Sequence, residues 1–159
     1  MITLYTTHIR PLIEFSSCVW NVGFLEDSRL LERVQRRWTK QIDGLSELPY
    51  AERLRILNMY SVERRLLRAD LIKYWKIFNL NSCLNPDEIF EIPLSRITRG
   101  HRYKIATVRH SLDCYKRFFS MRRVALWNSL PDSLVSAGSL ETFKHGLHLS
   151  LGQLLYDFD

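Results

Sequence analysis

The sequence contains few of the residues from which catalytic and metal sites are usually built. It has three cysteines and six glycines in 159 residues, and nowhere two adjacent aspartates. Cys18, Cys83 and Cys114 are odd in number and far apart, which argues against a disulfide framework and predicts reduced thiols inside the cell, in the nucleus or cytoplasm. The isolated glycines form no phosphate-binding loop. Because two-metal phosphoryl transfer needs clustered carboxylates, this sequence lacks a polymerase active site.

Long apolar runs and metal-ligand spacings are also missing. No run approaches the roughly 20 apolar residues that a membrane helix needs. Polar residues such as Thr3 and Arg10 interrupt the segment in which a signal peptide would have its apolar core. His145 and His148 are three residues apart without further ligands at zinc-site spacing, so we interpret them as surface residues. We therefore expect no membrane partner, no cofactor and no metal, and a chain that is not an enzyme by itself.

The charge that is present is mostly positive and unevenly distributed. The net charge is +6, while the hydrophobic and charged fractions, 46% and 25%, are typical of a folded globular protein. Residues 29–76 contain twelve Lys and Arg against six acids, and residues 96–123 contain nine against one. Clustered cations bind polyanions by releasing the counterions of the phosphates. This pattern indicates a surface that faces a polyanion, although charged faces without a partner are also common.

The periodicity predicts a mainly α protein, a compact bundle of five or six helices. Tyr103, Ile105 and Thr107 alternate with polar or small residues, which allows a short β element near residues 102–109. Along the chain we expect a helical region over 1–80, a connector over 81–97 and a basic, aromatic helical region over 98–159, packed as one unit. A helix is expected over 2–20, in which Pro11 must start, kink or end a segment, and a single core helix over 114–130, because both stretches are rich in apolar residues. Pro49 is expected to begin a short helix to about Asn58, and Ser139 to cap a final helix from Leu140 to about Tyr156.

The clearest amphipathic pattern begins after Ser28. At about 100° per residue, one third of the circumference is apolar, which predicts a core stripe of Leu30, Leu31, Val34, Trp38 and Ile42. The opposite third is cationic and consists of Arg29, Arg33, Arg36, Arg37 and Lys40. In the next long helix, which Ser61 caps, three arginines crowd the N-terminal half, where the helix dipole disfavours cations. These arginines, Arg64, Arg65 and Arg68, are expected to have anionic partners, either Glu63 and Asp70 or a phosphate.

Short blocks along the chain resemble, in order and spacing, the region that follows the palm in reverse transcriptases of jockey-type and related non-LTR retrotransposons (LINEs). The first blocks are Arg10-Pro11-Leu12-Ile13-Glu14-Phe15, Leu31-Glu32-Arg33-Val34-Gln35-Arg36-Arg37, Glu63-Arg64-Arg65 and Asp70-Leu71-Ile72. Later blocks are Thr98-Arg99-Gly100-His101, Phe118-Phe119-Ser120, Trp127-Asn128-Ser129-Leu130-Pro131 and Ser139-Leu140. The resemblance extends from about Leu4 to about Leu151. The chain departs from the family's pattern at His145-Gly146, where relatives tend to be more basic.

The resemblance implies that 1–80 is thumb-like, and that the endonuclease, the fingers and the metal-binding palm belong to a parent polyprotein upstream of Met1. A non-catalytic C-terminal part of an RNA-directed DNA polymerase would bind RNA and DNA as the template–primer duplex. The contacts that we predict on this basis are Arg33, Arg36, Arg37, Lys40, Arg64, Arg65, Arg99, His101, Arg102, Lys104, Arg109, Lys116, Arg117, Arg122 and Arg123.

Two alternatives remain open on the sequence. Four tryptophans and eight phenylalanines are many for a domain of this length, and they favour a docking module that packs against the palm of the parent reverse transcriptase or self-associates. The chain could equally be a decayed transposon remnant without a selected function.

Overall fold

The computed structural model describes residues 2–21, 23–80, 84–93, 100–107 and 112–151. The described residues form two compact units, 2–67 and 68–151. Helices dominate both units, so the mainly α prediction is confirmed. The predicted β element is not seen in residues 102–107, the part of that stretch which the structure describes. The division at 81–97 stays a prediction, since much of that segment lies outside the described residues.

Helices of very different length build the first unit. They are α1 (Ile2–Leu4), a π-helical turn (Tyr5–Ile9), α2 (Arg10–Glu14), α3 (Ser17–Trp20), α4 (Leu25–Lys40), α5 (Tyr50–Ile56) and the beginning of α6 (Val62–Asn79). The helix predicted over 2–20 is divided, since Pro11 lies in the first turn of α2, as the prediction allowed. It is also interrupted where Phe15 leaves the helical region with ψ 128° and Ser16 adopts a left-handed φ of 49°. α4 begins at Leu25, before Ser28, with Glu26 and Asp27 in the first turn, where the helix dipole favours acids.

The buried face of α4 is rotated away from the predicted apolar stripe. Leu30 and Val34 are 54% and 46% exposed, whereas Gln35 and Thr39 are fully buried beside Trp38. The core-stripe prediction is therefore wrong for Leu30 and Val34. The physical reason is that Gln35 is buried because its amide binds polar groups in the core of this unit. A stripe predicted from hydrophobicity alone cannot include such a residue.

Gln35 is the centre of this buried polar network. Its Oε1 accepts hydrogen bonds from the Tyr5 hydroxyl at 2.8 Å and from Nη1 of Arg65 at 2.6 Å. Its Nε2 donates to the Tyr50 hydroxyl and to the Tyr60 carbonyl, both at 2.9 Å. All four hydrogen-bonding positions of one amide are thus used, and they connect the N-terminal segment, α5 and the start of α6 to α4.

The predicted starts of α5 and α6 agree with the structure. Pro49 precedes α5, and the Ser61 hydroxyl accepts a hydrogen bond from the Arg64 N–H at 3.2 Å, as a helix cap does. α6 carries buried apolar residues along its whole length, including Leu66, Leu71 and Trp75. The boundary between the two units falls inside this helix.

The second unit contains the rest of α6 and six shorter helices among its described residues. These are α7 (Pro86–Ile89), α8 (Asp113–Arg117), α9 (Phe119–Arg122), α10 (Val124–Ser129), α11 (Asp132–Val135) and α12 (Leu140–Leu151). The single helix predicted over 114–130 is wrong, because the backbone leaves the helical region at Phe118 (ψ 149°) and at Arg123 (φ −121°, ψ 9°). The predicted burial is confirmed for Val124, Trp127 and Leu130 but is wrong for Tyr115 and Phe118, which are 44% and 51% exposed.

Aromatic rings form the core of the second unit. Tyr74 packs edge-to-face against Phe90, Phe119 and Trp127 at centroid distances of 4.7, 5.0 and 5.7 Å. Trp75 stacks on Phe143 of α12 at 5.5 Å.

Gly146 brings α12 close to α11. A Cβ on Gly146 would lie 2.6 Å from Cδ1 of Leu134. The glycine at this position therefore permits close packing of the two helices.

We expect replacement of Gln35 by leucine to destabilise the protein by about 3 kcal/mol, because it leaves the buried Tyr5 hydroxyl without an acceptor and removes one of the acceptors of the buried Arg65 guanidinium. Gln41→Leu, at the exposed end of α4, is the matched control and should change the free energy of unfolding by less than about 0.5 kcal/mol. Urea denaturation followed by circular dichroism measures both variants. Equal stability of the two would show that the network contributes nothing.

Candidate nucleic-acid interface

Four cations form an exposed ridge on α4, consisting of Arg33, Arg36, Arg37 and Lys40, and all four side chains are exposed. Their spacing of three and four residues places them on one face over about 10 Å of helix. No acidic side chain in the described ranges forms an ion pair with any of them. The α4 ridge is therefore a surface of uncompensated positive charge.

Tyr50 and Arg53 of α5 contact the C-terminal part of the α4 ridge. The Arg36 guanidinium lies over the Tyr50 ring, 4.7 Å from its centroid, and the buried Arg53 lies 5.4 Å from the same ring. Nη1 of Arg53 donates hydrogen bonds to the Arg36 carbonyl at 3.0 Å and to the Thr39 hydroxyl at 3.1 Å. These contacts fix the last turn of α4.

Tyr50 is held under Arg36 by a hydrogen bond to Glu32. The Tyr50 hydroxyl donates a short hydrogen bond to the Glu32 carboxylate, whose other oxygen accepts the Val62 N–H at 2.8 Å. Burial, and then the hydrogen bond and the charge of Glu32, raise the pKa of Tyr50 far above its ordinary value. The ring under Arg36 is therefore neutral, which preserves the cation–π geometry.

Arg65, a predicted contact, points into the core instead. Its side chain is 3% exposed, and its guanidinium binds the Glu14 carboxylate, Gln35 Oε1 and the Tyr60 carbonyl. A side chain enclosed by three internal partners is not available to a ligand. The anionic partner of Arg65 is Glu14 of α2, and not Glu63, Asp70 or a phosphate as the sequence predicted. Arg64 is half-buried beside it.

The second unit brings further predicted cations to its surface. Arg102 is exposed, with its guanidinium 4.7 Å from the centroid of the Tyr103 ring. Lys104 is half-buried, and on α8 Lys116 is exposed while Arg117 is half-buried.

Two predicted contacts of this region cannot be placed. Arg99 and Arg109 lie outside the described residues.

Arg122 and Arg123 of the predicted set bind a buried carboxylate. Asp70 is fully buried, and its oxygens accept hydrogen bonds from Nη2 and Nε of Arg122 at 2.5 and 2.8 Å. Nε of Arg123 lies 3.6 Å from the same carboxylate. Arg122 is itself 6% exposed, so this bidentate pair is internal and Arg122 is not presented to a ligand.

His101 is buried as well, at 2% exposure. Its Nε2 lies 3.0 Å from the Trp127 carbonyl, which can only accept, so this nitrogen carries the proton. Burial lowers the pKa of His101, and Lys104 lowers it further, while the Trp127 carbonyl and Asp132 act in the opposite direction. A neutral, enclosed imidazole does not contact phosphates, so the prediction for His101 is corrected to a structural role.

Trp127 and Asn128 of α10 hold the segment around His101. No such role was predicted for them from the sequence. Nε1 of Trp127 donates to the Tyr103 carbonyl at 2.8 Å. The Asn128 amide accepts from the Ile105 N–H at 3.1 Å and donates to the Ile105 carbonyl at 2.8 Å. One feature of the sequence could have indicated this role for Asn128. It is the single amide side chain among the mostly apolar residues 124–130, which Pro131 follows.

The described residues contain no group of three or more His, Cys, Asp or Glu side chains that could hold a metal ion. None of the described helices combines the length and the apolar character needed to cross a membrane.

Comparisons with known proteins provide no relative: no family model matches the chain, and neither the curated proteins nor the solved structures contain a match.

We expect Asp70→Asn to destabilise the second unit by about 3–5 kcal/mol, because it leaves Arg122 buried beside an amide without a compensating charge. Glu91→Gln neutralises an exposed carboxylate of the same unit and serves as the control, with an expected change below about 0.5 kcal/mol. Thermal and urea unfolding of both variants test this. A wild-type melting curve for Asp70→Asn would contradict the role assigned to the pair.

Proposed function

We propose that this chain binds the sugar–phosphate backbone of nucleic acid through the α4 ridge, as the non-catalytic thumb and C-terminal part of a non-LTR retrotransposon reverse transcriptase. The observation that carries the proposal is the presence of four exposed cations on two turns of α4 without an acidic partner among the described residues.

Like charges three and four residues apart destabilise a helix by a few tenths of a kcal/mol for each pair. The α4 ridge contains four such pairs, among them Arg33 with Arg37 and Arg36 with Lys40. A phosphate backbone would remove this repulsion and would gain affinity by releasing its own counterions. Contacts of this kind position a duplex without reading its sequence. The template–primer duplex of RNA and DNA is therefore a suitable partner.

The origin from a reverse transcriptase is supported by the roles of the residues that carry the resemblance. Asp70, from the block Asp70-Leu71-Ile72, forms a buried ion pair with Arg122, which follows the block Phe118-Phe119-Ser120. Trp127 and Asn128, from a third block, bind the backbone of the segment that follows Gly100-His101. Residues of different blocks thus contact one another in the fold. Such contacts are consistent with a resemblance that extends over the whole region. The absence of clustered aspartates from the sequence fits a part outside the palm.

The decisive measurement is fluorescence anisotropy of a labelled RNA–DNA duplex, titrated with the full chain at several salt concentrations. We compare the wild type with the triple variant Arg33→Gln, Arg37→Gln, Lys40→Gln, which leaves Arg36 over Tyr50. Loss of three phosphate contacts should weaken binding by on the order of one to two powers of ten and lower the salt slope by about 2.7, at about 0.9 per contact.

The matched control removes the same three charges elsewhere, by Arg55→Gln, Lys73→Gln and Lys76→Gln. It should retain a salt slope close to that of the wild type. Equal losses in both triple variants would mean that only the net charge matters, and wild-type binding by the α4 ridge variant with a normal melting curve would exclude the ridge as the binding face.

A docking role is the second candidate, because the N-terminal segment exposes large apolar side chains. Leu12, Phe15 and Val19 are 79%, 77% and 78% exposed within eight residues of sequence. Apolar groups concentrated at a surface favour association with another protein. The partner would be the palm of the parent reverse transcriptase, or a second copy of the chain.

Light scattering of the purified chain tests this candidate. Self-association that disappears in the variant Leu12→Ser, Phe15→Ser, Val19→Ser would support it, since removal of the apolar groups removes the driving force. A monomer at all concentrations would argue against self-association. A monomer that also fails to bind the duplex would favour the third alternative, a remnant without a selected function.

A further inference from the structure

In the second unit, the segment from His101 to Ala106 alternates between anchored residues and cations. His101 and Ile105 are each 2% exposed, and Tyr103 packs on Phe78 with ring centroids 5.4 Å apart. Between them lie Arg102, which is exposed, and Lys104, which is half-buried. The backbone turns at Arg102 and Tyr103, and no neighbouring strand is paired with the segment in the described part of this unit.

Side chains of α10 form hydrogen bonds to the backbone of this segment. The Asn128 amide binds both the N–H and the carbonyl of Ile105, which is the pair of hydrogen bonds that an adjacent strand would make. Trp127 adds two anchors, since its indole N–H binds the Tyr103 carbonyl at 2.8 Å and its own carbonyl lies 3.0 Å from Nε2 of His101. The Ala106 N–H donates to the Glu91 carbonyl at 2.7 Å. The backbone is therefore held on both sides of Arg102 and Lys104.

Gly100 supports the position of Lys104. It has a φ of 115°, a region that side chains rarely adopt, and a Cβ there would lie 2.5 Å from Cε and 2.7 Å from Nζ of Lys104. The aliphatic part of Lys104 thus passes directly over the glycine. Any larger residue at position 100 would displace the ammonium group.

We infer that Trp127 and Asn128 are positioning residues for a second phosphate contact, in which the segment from His101 to Ala106 presents Arg102 and Lys104 to the nucleic-acid backbone. This inference rests on the proposed function and extends it from α4 to the second unit. Neither cation forms an ion pair with an acid in the described ranges. A fixed backbone lowers the entropy that the two side chains lose on binding.

The test is a mutant cycle in the duplex titration, using Asn128→Ala, the double variant Arg102→Gln with Lys104→Gln, and their combination. The double variant should lower the salt slope by about 1.8, from two contacts at about 0.9 each. Asn128→Ala should weaken binding about tenfold in the wild-type background, on the scale of one lost phosphate contact near 0.1 M salt, and less than about twofold in the double variant. Ser129→Ala, on the exposed neighbouring residue, is the control and should bind like the wild type.

Equal losses from Asn128→Ala in both backgrounds would overturn the positioning role, because a general loss of structure does not depend on Arg102 and Lys104. Hydrogen exchange at the Ile105 amide gives an independent readout, and it should accelerate in Asn128→Ala but not in Ser129→Ala. If Asn128→Ala fails to fold, Gly100→Ala replaces it. That variant leaves α10 unchanged, displaces Lys104, and should lower the salt slope by about 0.9.

The α4 ridge variant in the same titration separates the two proposals. If the wild type binds and the ridge variant binds weakly, while Asn128→Ala and the double variant bind like the wild type, the proposed function stands and the second contact is excluded. If the wild type does not bind the duplex, both proposals fall.

Discussion

Burying an arginine costs several kcal/mol unless carboxylate or carbonyl oxygens accept hydrogen bonds from its guanidinium. This constraint divides the basic residues of the chain into two classes. Arg53, Arg65 and Arg122 lie inside, and each binds specific oxygen atoms of its own unit. The cations of the α4 ridge lie outside without acidic partners in the described ranges. The positive net charge alone does not separate these classes, since a buried arginine and an exposed one each add one positive charge.

The same constraint organises the helices. In the first unit, the Gln35 amide and the Glu14 carboxylate collect hydroxyl, carbonyl and guanidinium groups that would otherwise be buried without partners. In the second unit, Asp70 holds the end of α9, and the Asn128 amide holds the backbone of Ile105. A polar atom buried in this way specifies one partner, whereas apolar contacts tolerate several arrangements. Buried hydrogen bonds therefore fix the backbone segments that carry the surface cations.

The functional proposals follow from what these internal interactions leave at the surface. α4 presents its cations on a regular helix supported by Tyr50 and Arg53, and the second unit presents Arg102 and Lys104 on a non-helical segment bound by α10. Both arrangements suit a charged, repetitive partner such as a phosphate backbone. The exposed apolar residues near Phe15 have a different character and suit a protein partner.

The sequence by itself determined the helical class, the starts of α5, α6 and α12, and the cationic face of α4, because these follow from local periodicity and capping. Only the tertiary structure decided which polar residues are inside. Leu30 and Val34 were predicted in the core, yet Gln35 occupies it, and Arg65, His101 and Arg122 were predicted at the surface, yet they are buried. Several of their partners are distant in the sequence, for example Trp127, 26 residues from His101, and Asp70, 52 residues from Arg122. Local periodicity carries no information about such pairs, since the hydrogen bonds that permit burial exist only once distant segments have met.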